Sequence, residues 1–132
     1  MGATLIIHDE TTTGTKSPEF ALEFLTERIT VRELIRSRVY QEVQDYNLQK
    51  RDNFDGLIRP TDAEQALNGA KPSRHRHHVE WKPQYEAAVA AFQKNGFLVL
   101  VGDRQVEGLD EVIEIKPDTR VTFLKLVLLA GG

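Results

Sequence analysis

The spacing of apolar residues changes period at Thr30, and this change restricts the chain to a fold that mixes strands with helices. Phe20, Leu22 and Phe24 alternate with Glu19, Ala21 and Glu23, the two-residue period of a half-buried strand. Ahead of them the β-branched stretch from Thr4 to Thr12, closed by Gly14 and Pro18, reads as another strand, and the two suggest an antiparallel hairpin. Beyond Thr30, the residues Val31, Leu34, Ile35, Val39, Val43 and Tyr46 recur at helical spacing. Thr30 and Glu33 stand at the separation at which each side chain caps the other's backbone N–H, and Ile29 and Leu34 are placed to close a staple across that cap. The spacing predicts a helix running from Val31 to around Asn47.

Residues 50–80 interrupt this order. They carry Gly56, Pro60, Gly69, Pro72 and many charges, and read as an irregular insertion holding one short helix, Thr61 to Leu67. A second amphipathic helix follows through Pro83, Tyr85, Ala88, Val89 and Phe92, stopped by Asn95-Gly96. Strands then return. Phe97 to Val101 and Gln105-Val106 flank Gly102-Asp103, with glycine first as a type II′ hairpin turn requires. A short strand from Val112 to Ile115 leads through Pro117-Asp118 into a last strand from Val121 to about Val127. Of its two faces, the one with Thr122, Leu124, Leu126 and Leu128 is expected to be core. The face with Val121, Phe123, Lys125 and Val127 would then be a partly exposed apolar patch for partners, the alternative being burial of both faces under the inserted segment.

With 132 residues, 40% of them hydrophobic and 28% charged, the chain is expected to form a single domain around one core. It contains no cysteine, which excludes a cysteine nucleophile, a thiolate zinc site and a disulfide framework. No apolar stretch reaches the length of a membrane span and no leader pattern opens the chain, so a cytoplasmic protein is expected. The net charge of −3 does not point to a nucleic-acid partner. Charge is nevertheless uneven: Lys71, Arg74, Arg76 and Lys82 make one segment basic, and Asp103, Glu107, Asp110, Glu111, Glu114 and Asp118 make another acidic. Arg74 and Arg76 are candidate partner contacts.

Constellations for catalysis are missing from the pattern. His75, His77 and His78 lie between and beside Arg74 and Arg76, whose charge opposes a bound cation, so no metal site is expected there. Asp9-Glu10 and Asp110-Glu111 are adjacent pairs, and adjacent strand residues face opposite ways, which makes them poor acid–base partners. Trp81 and Tyr85 are too few for a base-stacking platform, and Trp81 reads as a core or loop anchor. The chain carries no glycine-rich phosphate loop.

The order of hairpin, helix, insertion, strand pair and final strand ending in Gly131-Gly132 resembles the β-grasp fold of ubiquitin and of bacterial sulfur carriers, an α+β class. The small subunit of molybdopterin synthase is similar in the stretches Phe97 to Val106, Glu114 to Arg120 and Val121 to Leu129. The resemblance covers residues 4–49 and 97–132. Residues 50–80 have no counterpart in it, and the wholly apolar tail, Val127 to Ala130, departs from ubiquitin, which has basic residues there, and looks more like the sulfur carriers.

The resemblance implies that the Gly132 carboxylate, preceded by Gly131 on a flexible tail of residues 128–132, is the working group. A carboxylate is a poor acyl donor until it is adenylated, and glycines without Cβ atoms let the tail thread a narrow site. A partner activating enzyme would supply ATP and magnesium; this chain holds no cofactor and is not itself an enzyme. Phe123, Lys125, Val127, Leu129 and Ala130 would meet that partner. The end product would be a thiocarboxylate in a sulfur carrier. In a bacterial protein modifier it would be an isopeptide to a target protein, served by a conjugating enzyme and a deconjugating protease. The alternative is a β-grasp interaction module whose terminal glycines are incidental.

Overall fold

The computed structural model describes residues 2–49 and 79–126, which form a mixed α+β fold. In chain order the elements are β1 (Ala3–Thr11), β2 (Phe20–Phe24), β3 (Arg28–Thr30), α1 (Val31–Gln49), α2 (Trp81–Gln93), β4 (Phe97–Val101), β5 (Arg104–Val106), β6 (Val112–Glu114) and β7 (Arg120–Lys125). A five-stranded mixed sheet has the order β2-β1-β7-β4-β5, and β3 and β6 form a separate two-stranded ladder. β1 and β7 run parallel, and the other pairs are antiparallel. The expected short helix from Thr61 to Leu67 lies outside the described residues.

Two compact units divide the chain: one runs through Leu34 and resumes at Ala91, and the other is Ile35–Ala90. In the first, the buried face of the sheet carries Leu5 and Ile7 of β1, Leu22 of β2, Phe97 and Val99 of β4, and Val121 and Phe123 of β7. The ring of Phe92, in the last turn of α2, lies 5.8 Å from that of Phe97, which lies 5.8 Å from that of Phe123.

The start of α1 satisfies every donor that a helix leaves free in its first turn. Thr30 N–H donates to Glu33 Oε1 at 3.2 Å, and Glu33 N–H donates to Thr30 Oγ1 at 3.1 Å, closing the capping box read from the sequence. The two amides between them, of Val31 and Arg32, donate to the carbonyls of Glu111 and Leu109 at 3.0 and 2.9 Å. Those carbonyls come from the loop before β6, and Ile29 pairs with Ile113 in the β3–β6 ladder. β6 is the short strand read at Val112 to Ile115, whereas β3 and its pairing with β6 are absent from the pattern reading, because three residues between a strand and a helix cap show no alternation of their own. Along α1 the six apolar positions from Val31 to Tyr46 are all buried, and Arg38 is buried with them, its Nε and Nη2 on Glu42 Oε2.

In the second unit Trp81 opens α2 and is half-buried. Tyr40 meets its ring edge-on at 5.7 Å, Tyr85 stands 6.1 Å away, and the Arg36 guanidinium lies 5.3 Å from the ring centroid, a cation–π contact. The Asn47 side-chain amide both donates to Val79 O and accepts Val79 N–H, joining the end of α1 to the residues before α2. Within α2 the buried positions are Gln84, Ala88 and Phe92, one every four residues, whereas Pro83 is exposed and Tyr85 and Val89 are half-buried. Of the five positions read from the sequence, Ala88 and Phe92 therefore lie on the most buried line, Tyr85 and Val89 border it, and Pro83 falls outside it.

α2 ends in a Schellman cap. Asn95 takes the left-handed conformation at φ 60°, its N–H donates to Phe92 O at 3.1 Å, and Gly96 N–H donates to Ala91 O at 2.7 Å. Asparagine thus fills the left-handed position, and glycine follows one residue later, where a Cβ would stand 3.3 Å from Ala91 O, a tight contact. Across the next turn Gly102 has φ 61° and Asp103 is not among the positive-φ residues, as a type II′ connection between Val101 and Arg104 requires.

Candidate functional site

β7 is the element from which the site is built, because it lies at the centre of the sheet and leads toward Gly131-Gly132. The expectation that Thr122, Leu124 and Leu126 form its core face holds for Thr122, which is buried, and is corrected for the rest: Val121 and Phe123 are fully buried, while Leu124 is half-buried and Leu126 is 44% exposed. The cause is register. Val121 lies beside Ile7 and Val101, and Phe123 beside Asp9 and Val99, so the neighbours assign both to the buried face. Phe123 is accordingly a core side chain and not a surface for partners. The apolar residues of β7 fall on both faces, which removed the alternation that would have assigned them from sequence.

Lys125 shares the buried face but sits at its rim. Its side chain is 34% exposed, and Nζ stands 3.6 Å from Asp9 Oδ2. The backbone here is held on both sides: Thr12 N–H donates to Lys125 O at 3.1 Å, and Leu126 N–H donates to Gly96 O at 3.4 Å. The last strand therefore leaves the sheet between the end of β1 and the start of β4. The other candidates, Gly131, Gly132, Val127, Leu129, Ala130, Arg74 and Arg76, lie outside the described residues, as do His75, His77 and His78.

The second face of the sheet carries a row of half-buried apolar side chains that sequence reading missed: Ile6 of β1, Leu98 and Leu100 of β4, and Leu124 of β7. Leu98 pairs with Leu124, and Leu100 with Thr122, which pairs in turn with His8. His8 Nε2 stands 2.9 Å from Glu10 Oε2 and 3.5 Å from Thr122 Oγ1, giving the row a polar border. The available signal was the unbroken run Phe97 to Val101, which supplies apolar residues to both faces of β4 at once.

A further cluster organises the loop that caps α1. Glu111 Oε2 accepts the N–H groups of Glu107 and Gly108 at 2.9 and 3.3 Å, and Oε1 accepts Arg104 Nη1 at 2.8 Å. The two backbone donors foremost, and then Arg104, hold its carboxyl below the ordinary carboxylate value. Asp110 and Glu111, adjacent in sequence, do not act as a pair here: Asp110 stands 3.6 Å from Arg32 instead.

Among the described residues no group of three or more histidine, aspartate or glutamate side chains is placed to hold a metal ion, and no helix is long and apolar enough to cross a membrane. No family model, curated protein or solved structure matches the chain.

Proposed function

We propose that this chain is a β-grasp protein of the ubiquitin-like kind, whose Gly132 carboxylate, once free, is adenylated by a partner activating enzyme. It is then either joined to a target protein or converted to a thiocarboxylate. The observation that carries this reading is the parallel pairing of the first and last strands at the centre of the sheet, with Gly131-Gly132 a few residues beyond the exit of β7. A sheet centre is a rigid mount. The chain beyond it would be offered to a partner that brings ATP, magnesium and the nucleophile.

The half-buried row of Ile6, Leu98, Leu100 and Leu124 supports the same reading, since an acyl donor without catalytic groups must be recognised by surface. It equally suits an interaction module whose glycines are incidental, and the terminal chemistry separates the two. With an activating enzyme, ATP and magnesium, mass spectrometry should find an adenylate at Gly132. Either sulfur then replaces one terminal oxygen, or a new amide or ester links Gly132 to another protein. Deleting Gly131-Gly132 should abolish all three products and leave the melting temperature nearly unchanged. A deletion variant that still performs the cellular role would exclude the acyl donor and leave the interaction module.

A further inference from the structure

The joint between α2 and β4 carries chemistry of its own, independent of the carrier reading. Asn95 and Gly96 are both exposed, and an asparagine followed by glycine is the pairing in which the next backbone nitrogen reaches the side-chain Cγ with least hindrance. That attack needs the Gly96 nitrogen free. In the fold its N–H donates to Ala91 O at 2.7 Å, the shortest bond of the cap, and Asn95 is held at φ 60°.

We infer that Asn95–Gly96 is a self-modification site kept unreactive by the C-terminal cap of α2, so that its reaction records how often this cap opens. When it opens, the Gly96 nitrogen bonds to Asn95 Cγ, the Cγ–Nδ2 bond breaks, and ammonia leaves with the proton from the Gly96 nitrogen. Water then opens the cyclic imide at either carbonyl, giving aspartate or isoaspartate. No oxidant, reductant or cofactor takes part.

The consequence falls on the last strand. Isoaspartate adds a methylene to the backbone directly before Gly96, whose carbonyl accepts Leu126 N–H at 3.4 Å and whose Cβ-less carbon already lies close against Ala91 O. The cap cannot re-form with the longer backbone. The pairing that begins at Phe97 and Lys125 then loses its outer support, at the point where β7 leaves the sheet.

The test is peptide mass spectrometry on the full chain held in mildly alkaline buffer, folded or unfolded in urea. A second pair, Asn68-Gly69, serves as an internal standard for the unfolded rate. In urea the two pairs should react at comparable rates. In the folded chain Asn95 should react at least about tenfold more slowly than in urea, which corresponds to ~1.4 kcal/mol of opening. Gln93→Gly, at an exposed position in the last turn of α2, should raise the folded rate severalfold and leave the unfolded rate unchanged. Isolated isoaspartate protein should exchange the Leu126 amide faster than unmodified protein, and Asn95→Gly should keep the cap and show neither change. Equal folded and unfolded rates at Asn95 would overturn the inference, and unchanged exchange at Leu126 in the isoaspartate form would overturn its link to the last strand.

Discussion

The rings of Phe97 and Phe123 lie 5.8 Å apart and tilted by 37°, joining β4 to β7 on the buried face of the sheet. Both side chains are essentially inaccessible, and Phe92 extends the row. Phe123→Ala removes the middle of a packed sheet and should cost about 3–5 kcal/mol in urea unfolding. Leu124→Ala, one residue later on the half-buried face, should cost about 1–2 kcal/mol because less apolar area leaves a buried setting. Equal losses at the two positions would contradict the assignment of faces.

Thr30 closes α1 through one side-chain oxygen. Thr30→Ala leaves the Glu33 amide without its acceptor and should lower stability by about 1 kcal/mol. The neighbouring amides of Val31 and Arg32 keep their carbonyl partners in the 109–111 loop, so the helix should shorten little. Chemical denaturation measures the first effect and amide exchange at Glu33 the second.

Glu111 makes the stability of that loop depend on pH. Its carboxyl is lowered from 4.5 in the fold, chiefly by the N–H groups of Glu107 and Gly108 and then by Arg104, so the unfolded chain takes up the proton first as pH falls. The contribution of Glu111 is therefore fully present above the unfolded value and is lost as pH drops through the lowered folded value. Glu111→Gln should be less stable than the parent protein at neutral pH, and the gap should close in the acid range below 4.5. A gap that stays constant through that range would show that charge plays no part.

The half-buried row should matter to a partner more than to the fold. Leu124→Glu places a charge beside Leu98 and should weaken productive association with the proposed activating enzyme by about 1–3 kcal/mol, roughly fivefold to 150-fold. Circular dichroism should remain that of the parent. In steady-state activation assays the loss should appear in KM; an unchanged KM would remove this face from recognition.

Local signals were legible because their partners lie close along the chain. Thr30 and Glu33 complete the capping box within a single turn, Gly102 satisfies its hairpin through its own backbone, and Asn95-Gly96 ends α2 within its last turn. The period of six apolar positions likewise marked the buried side of α1, since a helix sets that geometry by itself.

What the tertiary structure alone decided is which side of an apolar strand is inside. β7 offers hydrophobic residues on both faces, so its own sequence balances the two. The choice is made by β1 and β4: His8 approaches Thr122 across 114 residues of chain, on the face opposite Phe123. The β3–β6 ladder and the carbonyls that complete the α1 cap belong to the same category. Each depends on a partner brought near only by folding. Residue type and spacing encode the energy of a local turn or cap, but strand register is settled by the sum of cross-strand pairs, to which no single strand contributes more than half.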